Sequence, residues 1–231
     1  MKHSIPVLSL IILPFAGISQ VRDSISNFNY RPRFEYRALV PSASLIISGI
    51  SVNGNARESF KNEVVEERDE HLSRFHTGID NYLQFSPVLM PYVFDIAGIK
   101  SKTDIANRTA IALKSQVVMM AAVYVLKNTT HQLRPDGSAY TSFPSGHTAQ
   151  AFMGAAILSE EYKDRYKWMP YAAYGVASAV GIMRMANNRH YISDVLVGAG
   201  IGILSTKVIY WTHQYKWGRK NKKELRDKSL F

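Results

Sequence analysis

No cysteine occurs among the 231 residues. Disulfide frameworks, thiolate zinc sites, CxxC redox chemistry and cysteine-nucleophile phosphatases all need a thiol, so each is excluded. Chemistry is left to His, Asp, Ser, Lys and Arg. Negative charge is also scarce: 18 Asp and Glu stand against 28 Lys and Arg, a formal net charge of +10. That surplus points to an anionic partner, whether nucleic acid, an acidic membrane surface or a phosphorylated substrate, and the positions of the charges must decide among them. Hairpin signals are missing too. No Asn-Gly or Asp-Gly pair sits between alternating apolar runs, and Asp136-Gly137 is flanked by polar residues, which argues against a β-rich fold. With 46% apolar residues the composition is that of a folded chain, and wholesale disorder is excluded.

A long apolar run is absent from the N-terminus. Met1-Lys2-His3 is followed by a short apolar stretch over residues 5–18 and by the small-x-small pattern Gly17-Ile18-Ser19 ahead of Gln20. This reads as a cleavable secretory signal over residues 1–19. An uncleaved anchor is the alternative, and the run falls short of the ~20 apolar residues a spanning helix needs.

Further along, apolar stretches cover about residues 39–52, 82–99, 110–126, 149–158, 169–185 and 192–211, rich in Ala, Leu, Met and Gly. That composition favours helix over strand, and the chain reads as an all-α, multi-helix bundle. Residues 53–80 are polar and charged, and the acidic run within them, Glu66, Glu67, Asp69 and Glu70 with His71 and His76, reads as a solvated face, not a metal cluster. Arg219, Lys220, Lys222, Lys223, Arg226 and Lys228 follow the longest apolar run directly, a positive-inside signature for a membrane-embedded bundle with a cytoplasmic tail. Counting spans backward puts Gly137 and Arg189 outside, provided that residues 39–52 do not cross. A soluble periplasmic bundle is the competing reading. The organisation expected is a signal at 1–19, an exported region with the first helices at 20–109, a core domain at 110–212 and a basic tail at 213–231. Gly198, Gly200 and Gly202 fit close helix packing, because a dinucleotide fingerprint would need a preceding strand. Trp168, Tyr210 and Trp211 would suit a membrane interface, or the core of a soluble bundle.

Three polar clusters punctuate this pattern: Lys127 with Arg134-Pro135, then Pro144-Ser145-Gly146-His147, then Arg184, His190 and Asp194. Lys127, Arg134 and Arg184 supply three positive charges, two of them guanidinium forks suited to phosphate oxygens. Lys127 and Arg134 lie seven residues apart and share a helical face if the helix runs to Pro135, which would end it. A basic helix end on a membrane surface is their simpler reading, but it leaves the other clusters unexplained. Ser145 precedes an apolar run and reads as a helix cap, with Gly146 allowing an anion close to free backbone N–H groups. Simple capping would account for Ser145 alone. His190 and Asp194 are four apart, expected on one helical face, where the carboxylate orients the imidazole and leaves its other nitrogen free as a nucleophile. His147, His190 and Asp194 are suitable metal ligands, but the three cations would repel a divalent ion, so no metal or other cofactor is expected. A serine hydrolase is disfavoured because the G-x-S-x-G elbow is missing. His131 is a spacer.

Written as K-x6-R-P, P-S-G-H and R-x5-H-x3-D, in that order, the set resembles the signature of the type 2 phosphatidic acid phosphatase and vanadium haloperoxidase superfamily. The resemblance covers about residues 110–211 and departs at Met183, where the family usually has Ser before the Arg, at the cost of one phosphate hydrogen bond. It implies hydrolysis of a lipid phosphate or diphosphate through a phosphohistidine at His190, at the periplasmic face of the cell membrane. Asp194 would orient His190, while Lys127, Arg134, Arg184 and the Ser145-Gly146 amides hold the phosphoryl oxygens and His147 protonates the leaving oxygen. Substrates implied are phosphatidate, phosphatidylglycerol phosphate, undecaprenyl diphosphate and lipid A phosphates, with the Arg134-Pro135-Asp136-Gly137 stretch closest to the lipid A branch. The expected partners are therefore a lipid phosphate and a membrane, not nucleic acid. Rival readings are a soluble periplasmic acid phosphatase, a vanadate-dependent haloperoxidase and a non-catalytic membrane protein with a relic anion site.

Overall fold

The structure is a computed structural model that describes residues 36–54, 56 and 58–214. The expected signal at 1–19 and the six tail cations from Arg219 onward lie outside the described residues. After a short 3-10 turn at Tyr36–Leu39 come α1 (Val40–Ser51), α2 (Phe60–Leu72), α3 (Asp80–Leu83), α4 (Ser86–Ile96), α5 (Ile105–Thr130), α6 (Gly146–Tyr162), α7 (Met169–Ala186) and α8 (Ile192–Thr212), with no strand among the described residues. The all-α expectation holds. Local chemistry sets the helix starts: α1, α4 and α7 each carry Pro in the first turn, where its missing N–H is no loss, and Asp104 caps α5 by accepting from the N–H groups of Ala106 and Asn107.

Helix α6 is the axis of the bundle. Almost all of it is buried, by α8 and α7 on two sides and by α4 and α5 on the others, and α1 lies along the outer face of α8. Small side chains make that density possible. A Cβ on Gly202 would stand 2.3 Å from the Ala149 carbonyl of α6, one on Gly198 would stand 2.5 Å from the Ser145 carbonyl, and one on Gly200 would meet Ile46 and the Ser42 carbonyl of α1. These glycines therefore serve helix contact on two faces of α8. The core joins Phe152, Ala155, Leu158, Tyr162, Ala173, Ala177 and Val180 in one cluster, and Met119, Phe143, Ala149, Met153 and Val197 in a second.

Helices α5 and α8 are long and apolar enough to cross a membrane. They differ in surroundings. Most of the apolar window of α8 is buried in protein, whereas α5 turns Leu113, Val117, Val118, Met120, Tyr124 and Val125 outward, continued on α4 by Leu89, Val93 and Ile96. Trp168 is exposed, but Tyr210 is buried and donates to Glu161, so it belongs to the interior and not to an interfacial belt.

Candidate active site at one end of the bundle

The three clusters meet because the C-terminal ends of α5 and α7 and the N-terminal ends of α6 and α8 share one end of the bundle. Lys127 sits in the last turn of α5 and its Nζ donates to the Thr141 carbonyl. The helix stops at Thr130, where His131 adopts φ 45° as a left-handed cap. Arg134 is therefore in the following loop, and the expectation that it continues the Lys127 face of the helix is corrected. His131 is more than a spacer, since it ends the helix there. The loop still brings the two cations together: Arg134, Arg184 and Asp194 all lie within electrostatic reach of Lys127. Burial and the neighbouring Arg184 push the Arg134 guanidinium below its ordinary value, which is the mark of like charges confined together.

Ser145 is the cap of α6. Its hydroxyl accepts from the Thr148 N–H at 3.4 Å and from the Thr148 hydroxyl at 2.9 Å, and its own N–H donates to the Asp194 carbonyl at 3.0 Å. The Phe143-Pro144 peptide that leads into this turn is cis. Gly146 opens the helix, so the first-turn N–H groups of α6 face the same end as the cations.

His190 is not on a helix, contrary to the reading of one shared face. Asn188, at φ 57°, turns the chain out of α7, and α8 begins only at Ile192 with Tyr191 as its cap residue. The spacing nevertheless works across that junction: His190 Nδ1 lies 3.4 Å from Asp194 Oδ2, within ion-pair reach, though out of line for a hydrogen bond. Both side chains are buried. The same carboxylate accepts from the Tyr191 N–H at 3.0 Å and from the Ser142 hydroxyl, so Asp194 caps its own helix while facing His190. Burial pushes the His190 imidazole below its usual range, with Lys127 and Arg184 acting in the same direction and Asp194 against it. The net effect favours the neutral ring.

Four polar residues of the site were invisible as motifs. Arg184 donates from Nη1 to Asp80 Oδ2 at 2.7 Å, and Asp80, fully buried, also accepts from Asn187 Nδ2 at 3.3 Å. Next to it, Asn81 Oδ1 is 2.9 Å from His147 Nε2. Lys61 of α2 is buried, places its ammonium 3.1 Å from Asn53 Oδ1 and 5.1 Å over the Tyr191 ring, and feels the Asp194 charge. Asn53 in turn lies 3.2 Å from the Ser193 hydroxyl, beside Asp194. The polar region 53–80 thus supplies buried side chains beside the site. Its acidic run does stay outside: Glu67, Glu70 and His71 are all exposed. Only the pattern of single buried-type contacts, not composition, separates Lys61 and Asp80 from that run.

Two of the cations retain buried donors without a protein acceptor, Arg134 Nε and Arg184 Nε, and His190 Nδ1 is also without a hydrogen bond. Donors left unsatisfied in a native interior need a partner, and the two arginine donors lie at the end of the bundle where the motif cations gather, while His190 Nδ1 faces Asp194. Residues 109–218 match the family model described as the PAP2 superfamily. The chain carries a PAP2 superfamily domain. Among curated proteins it is 41% identical to the lipid A 1-phosphatase of Porphyromonas gingivalis over 138 residues, 59% of this chain and 31% of that one. It is 32% identical over 82 residues to a probable diacylglycerol pyrophosphate phosphatase of Schizosaccharomyces pombe, 31% of this chain and 29% of that one. The chain spans about a third of the length of the curated relatives it matches. Among solved structures, LpxE of Aquifex aeolicus is similar at 22% identity with a TM-score of 0.48, covering 63% of this chain and 93% of that one. The PAP2 match contains all three motif clusters, whereas Asn53, Lys61, Asp80 and Asn81 precede it.

Proposed function

We propose that the chain is a metal-independent lipid phosphatase that works through a phosphohistidine at His190. One observation carries the reading: three motif cations and the buried His190 and Asp194 pair converge on one end of the bundle, with Arg134 Nε and Arg184 Nε unsatisfied there. Lys127, Arg134 and Arg184, with the Ser145-Gly146 turn of α6, hold the phosphoryl oxygens and stabilise the charge that grows on them. Asp194 faces Nδ1 of His190 and leaves Nε2 to attack phosphorus. A P–N bond forms as the bond from phosphorus to the lipid oxygen breaks, and His147 gives that oxygen its proton. Water then attacks phosphorus, His147 takes the water proton, the P–N bond breaks and inorganic phosphate leaves. No metal is needed, because fixed cations supply the charge that a metal supplies elsewhere. Met183 offers no hydroxyl to the phosphate, so the remaining donors carry its binding.

For substrate, a lipid A phosphate is the best supported, by the 41% identity to a protein named for that activity, with phosphatidate and undecaprenyl diphosphate as the other candidates. The outward apolar faces of α5 and α4 support placement in a bilayer over a soluble phosphatase, since side chains such as Val117 and Ile96 would otherwise stand in water. The basic tail supports an active site facing the periplasm: a reporter after Phe231 is expected in the cytoplasm and one near Gly137 outside, and both outside would reverse the assignment. The functional test is phosphate release from lipid and soluble phosphate esters in excess chelator. Turnover that survives chelation, prefers lipid substrates and falls with vanadate is expected, and loss on chelation sinks the metal-free mechanism.

A further inference from the structure

Asn81 stands against His147 but belongs to α3, outside the PAP2 match. Its position is fixed from several directions. The neighbouring Asp80 is pinned by Arg184 at 2.7 Å and by Asn187 at 3.3 Å, and Asn187 also clamps Thr77, donating to its carbonyl and accepting from its N–H at 2.9 Å each. Gln84 donates to the Asn81 carbonyl at 2.8 Å. One short turn of helix therefore touches the cation of the third motif and the histidine of the second.

A side-chain carbonyl at Nε2 has a defined consequence for an imidazole. It accepts from Nε2–H, selects the tautomer protonated there, and favours the imidazolium, in which both nitrogens donate. The other nitrogen, Nδ1, is then the one that exchanges protons. A carboxylate at this place would do the same, but it would set a negative charge facing the phosphate; an amide carbonyl avoids that. Asp80, one residue earlier, is already committed to Arg184.

We propose that Asn81 is a positioning residue for His147, holding Nε2–H so that Nδ1 gives its proton to the leaving lipid oxygen and later takes one from the attacking water. The proposal rests on the phosphohistidine reading and deepens it. Both transfers balance at Nδ1: the imidazolium loses a proton as the lipid oxygen departs, and regains one from water as the P–N bond is hydrolysed.

The test uses the full chain in detergent micelles and compares an alkyl lipid phosphate with p-nitrophenyl phosphate, whose leaving group needs little protonation. Asn81→Leu, which removes the acceptor at similar volume, should lower kcat on the alkyl substrate by about 10- to 50-fold and clearly less on the aryl one, a fraction of the 10²–10⁴-fold usual for a whole general acid. In a His147→Ala background it should add no further loss. Asn81→Asp, which keeps an acceptor, should restore the ratio between the two substrates even where KM rises, and Asn81→Ala provides a second variant should Leu perturb folding. Equal losses on both substrates, or a loss that adds to His147→Ala, overturn the proposal while leaving His190 chemistry in place. An inactive wild type, or His190→Ala with undiminished turnover, overturns the phosphohistidine reading and this proposal together.

Discussion

The two ends of the helix bundle both bury charge, and they do it differently. At the end formed by the start of α5 and the ends of α6 and α8, Arg108 lies against both oxygens of Asp95 and against Ser101, Glu161 accepts from Tyr210 and from the Thr103 N–H at 2.7 Å, and Glu160 pairs with Lys207 and with Lys163 at 2.8 Å. Nearly every charge there has its opposite. At the other end, among the described residues, Lys127, Arg134, Arg184 and Arg189 gather around Asp80, Asp136 and Asp194, and Asp136 is taken by Arg189 at 2.8 Å. Paired buried charges fix helices in register, whereas an uncancelled surplus of cations makes a place for an anion. Sequence motifs mark the second end alone, because only there does the reaction constrain residue type and spacing together.

Substitutions at the two ends should therefore fail in different ways. His190→Ala is expected to remove at least about 10⁴-fold of turnover, as loss of a covalent nucleophile does, with little change in Tm. Arg108→Met should do the reverse: breaking a buried pair from one side costs about 3–5 kcal/mol, so the chain melts earlier while the folded fraction keeps its kcat. Paired activity and melting measurements on both variants separate the two, and a large activity loss per folded Arg108→Met molecule would erase the contrast.

Smaller effects come from the contacts that hold the site in shape. Asp80→Ala frees the Arg184 guanidinium from the carboxylate 2.7 Å away, and kcat/KM should fall by about 10- to 100-fold, the usual cost of a misplaced binding group. Steady-state kinetics on a lipid phosphate decides this, and unchanged kinetics would show that Arg184 is held by other groups. Gly198→Ala puts a methyl group 2.5 Å from the Ser145 carbonyl, so α8 must shift away from the cap of α6. Overpacking of this kind costs about 1–3 kcal/mol, and thermal unfolding should show it together with a loss of activity of about tenfold.

Those two predictions also mark where the sequence stopped being legible. The bundle, the ends of α7 and α8, and the packing role of Gly198, Gly200 and Gly202 follow from apolar spacing and small residues. Motif residues were readable because cations, a capping Ser and a His with an Asp in fixed order have few other uses. Asp80, Asn81 and Lys61 were hidden, since a single polar residue in a polar stretch looks solvated until the fold brings α2 and α3 against the bundle. Arg134 and His190 were placed on helices by spacing alone, but left-handed His131 ends α5 before Arg134, and the left-handed turn at Asn188 delays the start of α8 to Ile192, after His190. Such breaks at non-glycine positions carry almost no sequence signal.

The smallest expected effect is in pH dependence. Attack by His190 needs the neutral ring, and burial lowers its affinity for the proton, so the acid limb of kcat/KM should fall below pH ~6.5, the ordinary value for histidine, once the second ionisation of the substrate is corrected for. A limb above that value would mean that Asp194 outweighs burial.

Phosphoenzyme trapping tests the central claim most directly. Full-length protein mixed with a phosphate-labelled lipid in excess chelator, quenched in alkali within one turnover and digested, should yield an acid-labile, alkali-stable label on the peptide that contains His190. The label should accumulate further in His147→Ala, which lacks the base that activates water, and be absent in His190→Ala. A label on another residue, or turnover in wild type with no covalent label in either background, would contradict the account.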